Sequence, residues 1–594
     1  MDFLKKRATL LVLILGISAP LFLQLGGRGL NEPDEGRYSE MGREMLVTKG
    51  WLIPRLNGVP HYAKPPWIYW CTAASFKLFG LNECAARLPS ALAAAVTALT
   101  VFALGRRMAG EMAGLFSALI LVTSFLFFAC GRLITPDMML TAFITLAFYC
   151  FWRWWESEQT SSRWLVGFYL AMGMGFFDKG PYGIVIPIAA VIPFLIWQKK
   201  AASIAKMGWI WGLLIVLGIA LPWFIWMCRT NPDLYDFYLR GEIEGRITTG
   251  RGRSKVWWYF LATLPVACWP WTALMAQAGW HHVQCVRSSG KQAVASQFLI
   301  CCFLLPFIVY NVVPSKLPTY ILPVISPLAL LTGIWMVRLT DRPQRFPAWA
   351  TVATYLLLSC LPIALWVFFH RTLPQMNSFW MGLIALGLLG SALAWWLTTK
   401  LPTHPKNRLR FATWWLMTFL FVQAILFCTP RLETELRHNS SCRRLVDPIS
   451  KLDLVGVPIS EGLHPTGKKP SFTRAGPRVV MYEFFFRSSS FYLMKDKCEI
   501  VPLFGGDSIW ENEKDKQAEA KPLRQDLIEL LRGPETIFVI TRPQYRKELQ
   551  ELTGMELPLI QSTSTGEDQA VLFSNQKRLG SENLEIKKSR EKNS

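Results

Sequence analysis

Near the start of the chain, Lys5-Lys6-Arg7 is followed by ATLLVLILGISAPLFLQL at residues 8–25, a basic group in front of a long uncharged apolar run. As a helix, such a run is close to the length that crosses about 30 Å of hydrocarbon. A cleaved signal peptide begins in the same way, but no small-x-small cleavage site follows this run and further apolar runs do. We therefore predict a retained transmembrane helix.

The composition extends this prediction along the chain. Of the 594 residues, 52% are hydrophobic and the mean hydropathy is +0.27. A soluble protein of this size does not need so much apolar surface, so the excess must face lipid. Apolar runs of about 20 residues recur as far as Cys428, and we predict an α-helical polytopic membrane domain at residues 1–429 with about thirteen transmembrane helices.

Basic residues between the apolar runs predict the orientation. With the N-terminal basic group in the cytoplasm, most short basic loops fall on the same side, as the positive-inside rule requires. These loops contain Arg106, Arg107, Lys199, Lys200, Arg287, Arg338, Lys406 and Arg410. An odd number of spans then places the loop at 26–84, and everything after Cys428, on the outer face.

The outer loops also carry many cations. They are Arg28, Arg37, Arg43, Arg55 and Lys64 in the first, and Arg240, Arg246, Arg251, Arg253 and Lys255 in a later one. An anionic substrate such as a lipid phosphate explains them, because Arg and Lys bind phosphate through charge-assisted hydrogen bonds. The alternative is attraction to anionic lipid headgroups. Nucleic acid is not an expected partner, since no basic soluble domain with a recognition motif is present.

The first outer loop contains two motifs, Asn31-Glu32-Pro33-Asp34-Glu35-Gly36-Arg37-Tyr38 and His61-Tyr62-Ala63-Lys64-Pro65-Pro66-Trp67. The first predicts a short amphipathic helix that begins at Pro33 and lies on the membrane surface. Asp34 and Glu35 could serve only to complement the positive end of that helix dipole. The presence of Arg37, Tyr62 and Lys64 in the same loop favours a substrate site instead.

Three outer turns repeat the pattern of ionisable residues at span ends. They are Arg132-Leu133-Ile134-Thr135-Pro136-Asp137, Asp178-Lys179-Gly180-Pro181 and Ser315-Lys316-Leu317-Pro318-Thr319-Tyr320. Each has a structural alternative, such as helix capping by Thr135 or Asp137, or a polar turn with a snorkelling lysine. Together they predict a cationic outer cavity in which Asp34 and Asp137 are the catalytic carboxylates.

These motifs, in this order over roughly residues 1–430, resemble the dolichyl-phosphate-mannose protein mannosyltransferase superfamily. They most resemble its bacterial branch, the lipid A 4-amino-4-deoxy-L-arabinose transferases. The resemblance implies the membrane-embedded GT-C glycosyltransferase fold and a sugar donor carried on a polyprenyl phosphate. It further implies a bacterial inner-membrane protein whose active site and C-terminal domain face the periplasm, acting on a lipid or glycolipid acceptor such as lipid A of lipopolysaccharide.

The resemblance also implies roles for individual residues. Asp34 matches the principal catalytic carboxylate of the family. Substrate-binding positions are matched by Arg37, Lys64, Asp137, Lys179 and Tyr320. To these the loop motifs add Glu35, Tyr62, Arg132 and Lys316 as substrate-binding candidates. One position departs from the family, because Ala63 precedes Lys64 where the aminoarabinose transferases often carry an acid, so neither a metal site nor the identity of the sugar is carried over.

The leaving group of such a reaction is a polyprenyl phosphate anion. Arg and Lys can neutralise it, and electrostatic stabilisation in a water-poor site is often the largest catalytic contribution. If the acceptor is a hydroxyl, Asp34 would be the general base. If the acceptor is a lipid A phosphate, which is mostly ionised at neutral pH, Asp34 would orient or bind the sugar.

After Pro430 the apolar runs stop, which predicts a soluble outer-face α/β domain at 430–576 and a disordered tail at 577–594. Predicted strands lie near 478–484, 490–493 and 536–540, and amphipathic helices near 521–532 and 544–552. Cys442 and Cys498 are the only cysteines in this part, and a bridge between them is possible in an oxidising compartment. No CxxC or HExxH motif occurs, so we expect no cofactor and no metal.

Two other classes compete with a glycosyltransferase that modifies lipid A. A protein O-glycosyltransferase of the same superfamily would share every motif above. A lipid or sugar transporter or flippase would also have many spans and buried charges. Against a transporter, the charges cluster at one membrane face instead of the midplane, and no inverted repeat is detectable.

Overall fold

The computed structural model describes residues 18–341, apart from 32–33, 57–58, 63, 233, 249–252 and 289, together with several short segments of the C-terminal part. Those segments are 381, 478–482, 499–503, 527–528, 531–532, 537–541, 543–562 and 571–575. Most of the predicted first span, the spans predicted after residue 341, the strand at 490–493, Cys442, Cys498 and the tail at 577–594 lie outside the described residues. The chain forms two compact units, one with residues 18–25 and 87–341, the other with 26–86 and the segments after 478.

Residues 26–86 contain the predicted loop helix. Helix α1 (Asp34–Thr48) is followed by a two-residue hairpin, β1 (Arg55–Leu56) with β2 (Val59–Pro60), and by α2 (Trp67–Phe79). The helix was predicted as amphipathic at the membrane surface, but it is buried on most sides. Gly42 allows this close packing on α2, because a Cβ there would lie only 2.8 Å from Cγ2 of Thr72.

The first unit is a bundle of long apolar helices. In chain order they are α3 (Glu83–Ala109), α4 (Glu111–Val122), α5 (Phe125–Gly131), α6 (Pro136–Glu156), α7 (Ser162–Lys179), α8 (Tyr182–Trp197), α9 (Trp209–Thr230), α10 (Tyr259–Ala267), α11 (Thr272–Cys285), α12 (Lys291–Val312) and α13 (Leu322–Asp341). Shorter helical segments lie at Ala202–Ala205, Leu234–Asp236, Phe237–Glu244, Gly245–Thr248 and Pro318–Ile321.

Several of these helices are long and apolar enough to cross a membrane. In the described part of the chain they are Glu83–Ala109, Trp209–Thr230, Lys291–Val312 and Pro318–Arg338. Two bent pairs, α4 with α5 at 72° and α10 with α11 at 110°, raise the number to six if each pair is one span. The chain is therefore a multi-pass membrane protein, as predicted.

Close helix packing in the bundle depends on small residues. Gly333 of α13 faces Ser117 of α4, and a Cβ on Gly333 would come within 2.3 Å of the Ser117 hydroxyl oxygen. In lipid the hydrophobic effect contributes little to helix association, so van der Waals contact between closely packed helices has to stabilise it. Small residues allow that close packing. Hydroxyl side chains add interhelical bonds, such as the 3.2 Å contact from Thr145 Oγ1 to Ser326 Oγ.

The described C-terminal segments form a mixed five-stranded sheet. Its order is β4 (Glu499–Leu503), β3 (Arg478–Tyr482), β5 (Ile537–Thr541), β7 (Val571–Ser574) and β6 (Leu559–Ser562), with helix α14 (Pro543–Thr553). The first three pair in parallel and the last two are antiparallel. The strands predicted near 478 and 536 and the helix predicted at 544–552 are confirmed, whereas β4, β6 and β7 were not predicted.

Candidate functional site

A first-loop cluster, formed by Asp34, Arg37, Tyr38 and Lys64, lies at the start of α1. Asp34 is the first residue of the helix and forms an ion pair with Arg37. The Lys64 ammonium donates a hydrogen bond to the Tyr38 hydroxyl and lies 5.0 Å from the centre of the Tyr38 ring. The Arg37 guanidinium is 5.1 Å from the same ring, on which two cations therefore converge.

The two cations of this cluster keep unused donors. The Arg37 Nε has no hydrogen-bond partner among the described residues, although it is buried. Burial lowers the pKa of Arg37, but its interactions with Tyr38, Asp34 and Tyr69 together raise it by more, so the guanidinium stays protonated. Lys64 has no carboxylate partner in the part of the chain that the structure describes. Both cations can thus accept an additional anion such as a phosphate.

Glu35, a predicted substrate-binding residue, and the outer-loop cation Arg43 both form ion pairs within the loop. Glu35 is buried, accepts a 3.0 Å bond from Arg28 Nη1 and another of 3.0 Å from the Asn31 backbone N–H. Arg43 and Glu40 form a buried bidentate pair at 2.7 and 2.8 Å. These pairs hold α1 and the preceding chain in place. The substrate-binding role of Glu35 stays a prediction, as does that of the half-buried Tyr62.

A helix-end cluster in the first unit brings together Asp137, Lys179, Thr319 and Tyr320. Asp137 lies in the first turn of α6, and Lys179 is the last residue of α7. The Lys179 ammonium forms an ion pair with Asp137 Oδ1 and lies 4.1 Å from the centre of the Tyr320 ring. Thr319 Oγ1 donates to Asp137 Oδ2 at 3.1 Å. Three segments far apart in sequence thus meet at one carboxylate.

Local sequence explains how Asp137 reaches this position. Thr135 caps α6, since its hydroxyl accepts a bond from the Asp137 backbone N–H, and Pro136 occupies the first helical position. The Thr135 hydroxyl also donates to Asp137 Oδ2 at 3.1 Å. The capping interpretation and the site interpretation of this turn therefore both apply, because the cap orients the carboxylate that Lys179 binds.

Arg132 is committed to backbone contacts. Its Nη1 donates to the carbonyl oxygens of Pro20 and Leu23 at 2.8 and 2.6 Å. The side chain is buried and packs near the Phe128 ring. These bonds tie the end of α5 to the last residues of the first apolar run, so the described contacts are structural. A substrate-binding role for Arg132 stays a prediction.

Lys316 is a buried cation with an incomplete set of partners. Its ammonium donates to the Val313 carbonyl at 2.7 Å, and its backbone N–H donates to the Arg253 carbonyl at 3.1 Å. No carboxylate binds it among the described residues, although its side chain is almost fully buried. An unpaired buried charge is costly, so this lysine needs an anion or solvent in the functional state.

Some members of these clusters were not among the predicted site residues. Tyr38 and Thr319 stand inside motifs that the sequence already singled out, and Arg253, an outer-loop cation, donates to the Tyr320 hydroxyl at 3.4 Å. Sequence spacing gave no signal for the Thr319 and Arg253 contacts, since their partners lie 182 and 67 residues away. The prediction that the first-loop and helix-end clusters serve one cavity stays a prediction.

In the described part of the chain, no group of three or more His, Cys, Asp or Glu side chains could hold a metal ion. The expectation of a metal-independent reaction stays a prediction, because that result covers only these residues.

Comparisons with known proteins agree with the motifs. The family model of the dolichyl-phosphate-mannose-protein mannosyltransferases matches residues 63–226. A protein from Edwardsiella ictaluri named undecaprenyl phosphate-alpha-4-amino-4-deoxy-L-arabinose arabinosyl transferase is 34% identical over 326 residues, covering 53% of this chain and 57% of the relative. The chain thus matches little more than half the length of that relative. The transferase 1 of the same name from Pseudomonas fluorescens is 30% identical, covering 62% of this chain and 67% of the relative.

Solved structures give the fold. The crystal structure of ArnT from Cupriavidus metallidurans bound to undecaprenyl phosphate superposes with a TM-score of 0.74 at 21% identity, over 96% of this chain and 99% of that one. An oligosaccharyltransferase from Archaeoglobus fulgidus superposes with a TM-score of 0.50 at 11% identity, over 92% and 71%. The GT-C membrane glycosyltransferase fold predicted from the motifs is confirmed. By its motifs, its fold and these relatives, the chain belongs to the family of undecaprenyl phosphate-alpha-4-amino-4-deoxy-L-arabinose arabinosyl transferases.

Proposed function

We propose that this protein transfers a sugar from a polyprenyl-phosphate-linked donor to lipid A at the periplasmic face, in a reaction of the 4-amino-4-deoxy-L-arabinose type. The main support for this proposal is the environment of Lys316, a buried cation with no carboxylate partner among the described residues. A donor phosphate supplies the missing negative charge. The names of the relatives, and the undecaprenyl phosphate bound to the Cupriavidus protein, support a donor of this kind.

In the proposed reaction some residues stabilise the charge of the leaving group and others orient the sugar. Breaking the bond between the anomeric carbon and the donor phosphate leaves a phosphate anion. The cations available to neutralise it without a metal are Lys64 and Arg37 in the first-loop cluster, or Lys316 in the first unit. The acceptor phosphate of lipid A is already mostly ionised, with a second pKa of about 6 by analogy with phosphoserine. It therefore needs little base catalysis, and Asp34 acts by orienting the sugar for attack.

Asp137 has a different part in the proposal. Lys179 and Thr319 already bind both of its oxygens, so its carboxylate holds the Lys179 ammonium in place over the Tyr320 ring. A positioned ammonium and phenol can then contact the donor or the acceptor headgroup. Under this proposal Asp137 supports catalysis through Lys179 and accepts no proton.

Purified protein tests this function directly. We expect that incubation with undecaprenyl-phosphate aminoarabinose and lipid A yields a lipid A species heavier by one aminopentose residue, detected by mass spectrometry. Replacing lipid A with a peptide acceptor should give no product. Glycosylated peptide with unmodified lipid A would instead establish a protein O-glycosyltransferase, and no transfer from any polyprenyl-phosphate sugar would contradict the proposal.

The proposal also covers the membrane location and orientation of the protein. We place the protein in the bacterial inner membrane with about thirteen spans in residues 1–429, a periplasmic α/β domain at 430–576 and a tail at 577–594. The mixed sheet β3 to β7 supports an α/β domain in that region. The orientation is supported by basic residues, Arg106 and Arg107 at the end of α3 and Lys200 after α8. By the positive-inside rule these helix ends face the cytoplasm, and Lys255 then faces the periplasm.

Cysteine labelling tests the orientation. Single cysteines at the exposed Lys255 and Lys200, in a background without native cysteines, offer one site for each face. We expect an impermeant thiol reagent added to intact spheroplasts to label the first and not the second. Reversed labelling, or labelling of both, would show that the span count is wrong.

A further inference from the structure

A cavity of about 400 Å³ lies at the end of the helix bundle opposite the helix-end cluster. It is lined by Arg107 of α3, by Trp152, Trp155 and Glu156 of α6, and by Lys291 and Val294 of α12. Asp137 and Glu156 stand at the two ends of α6, and a helix of that length spans about 30 Å, the thickness of the hydrocarbon core. The cavity therefore lies at the other membrane face and is separate from the helix-end cluster.

The side chains around this cavity carry a net positive charge. Glu156 Oε2 accepts a 2.5 Å bond from Arg107 Nε, and Arg153 Nε lies 4.0 Å from the same oxygen. One carboxylate thus faces two guanidinium groups and the nearby ammonium of Lys291. The terminal nitrogens of Arg107 and the ammonium of Lys291 have no hydrogen-bond partner among the described residues. These donors can bind an anion without displacing Glu156.

The aromatic residues at the cavity indicate an occupant from the membrane. Trp152 and Trp155 stand at the end of a bundle helix, where Trp side chains mark the interface between hydrocarbon and headgroups. Trp152 is buried, and its indole N–H has no acceptor among the described residues. That donor is closed to solvent, so Trp152 contributes an apolar surface of its ring to the cavity. Exposed cations, Arg107 and Lys291, beside two indoles at a membrane interface match the headgroup of an anionic phospholipid.

We propose that this cavity binds the phosphate headgroup of an anionic phospholipid, held by Arg107 and Lys291, with its acyl chains against the outside of the bundle. The bound lipid joins the ends of α3, α6 and α12 at the face opposite the helix-end cluster. Because a ligand that binds only the folded state stabilises it, the predicted consequence is a headgroup-selective gain in thermal stability. This inference does not depend on which sugar or acceptor the enzyme uses.

The full-length protein in detergent tests the proposal through its thermal unfolding midpoint. We expect phosphatidylglycerol to raise the midpoint by several degrees more than phosphatidylcholine does. Lys291→Met should reduce that difference by at least half without lowering the midpoint in lipid-free detergent, since this lysine has no described partner to lose. Lys200→Met is the matched control, being an exposed lysine at the same end of the bundle, and it should leave the difference unchanged.

Three results would overturn the proposal. The first is an equal shift from both lipids, and the second is a phosphatidylglycerol shift that Lys291→Met leaves intact. The third is the full shift from inorganic phosphate at the same concentration, which would identify the cavity as a site for free phosphate. Native mass spectrometry adds a second readout, in which we expect retained phosphatidylglycerol on the wild type and on Lys200→Met, and less of it on Lys291→Met.

Discussion

The carboxylate–cation pairs of the first-loop cluster and of the helix-end cluster differ most in their access to water. The side chain of Asp34 is 63% exposed and that of its partner Arg37 is 19% exposed, whereas Asp137 and Lys179 are 9% and 11% exposed. The exposed Asp34 carboxylate can exchange its partner for a substrate at little cost, because water screens its charge. A buried pair cannot do so, since separating it leaves a charge unsolvated. Similar residue types therefore support a substrate-contacting role for Asp34 and a positioning role for Asp137.

Breaking the buried pair should have the largest effect. Asp137→Asn leaves Lys179 charged and buried, which costs about 3–5 kcal/mol of stability when one partner of a buried pair is removed. We expect a large fall in the thermal unfolding midpoint together with loss of transfer. Asp236→Asn, in a pair with Arg240 at 3.5 Å whose side chains are 63% and 77% exposed, should leave the midpoint nearly unchanged.

A double variant separates the two roles of this pair. Asp137→Asn with Lys179→Met removes both charges, so the midpoint should recover most of its loss while transfer stays absent. Recovery of transfer along with stability would contradict a functional role for the pair and leave it as a structural contact only.

Asp34→Asn should have the second largest effect, a loss of transfer activity in a protein that still folds. The substitution removes a charge from an exposed side chain with little change of shape, and we expect transfer to fall by about 100-fold or more, equivalent to about 2.7 kcal/mol of activation barrier. Asp236→Asn is again the matched control, because Asp236 is equally exposed and also pairs with an arginine one turn later. Activity within about threefold of wild type would leave Asp34 as an ordinary helix-start acid.

Lys64→Met tests whether the first-loop cluster binds the donor phosphate. Removing a cation that has no described carboxylate partner should raise the apparent KM for the lipid donor by about tenfold, or about 1.4 kcal/mol, with a smaller change in kcat. Lys77→Met, at an exposed lysine of α2, should change neither. Donor titrations in which Lys64→Met matches wild type in KM and kcat/KM would rule out the phosphate role.

Chelation should have the smallest effect. Because Arg and Lys neutralise the leaving phosphate in the proposed reaction, EDTA should leave the transfer rate within experimental error of the untreated enzyme. Inhibition that added Mg²⁺ or Mn²⁺ reverses would contradict this, and His61 and the acids of the first loop would become the first ligand candidates.

The sequence alone determined the features that depend on local chemistry. Apolar runs predicted a multi-pass membrane protein, because a helix must satisfy its own backbone hydrogen bonds in lipid. The start of α1 was predicted to within one residue, and the cap at Thr135 was predicted from the turn before α6, because capping involves neighbouring residues only. The motifs around Asp34, Asp137 and Lys316 also named the family correctly, since each stands at a span end.

Only the tertiary structure decided what each charge contacts. Glu35 and Arg132, both predicted as substrate-binding residues, form buried bonds to Arg28 and to backbone carbonyls that the sequence did not predict. Thr319 reaches Asp137 across 182 residues, a pairing set by how α6, α7 and the turn before α13 meet. Periodicity and spacing report local geometry, whereas burial and partnership arise from long-range packing, and these decide whether a charge is available to a substrate.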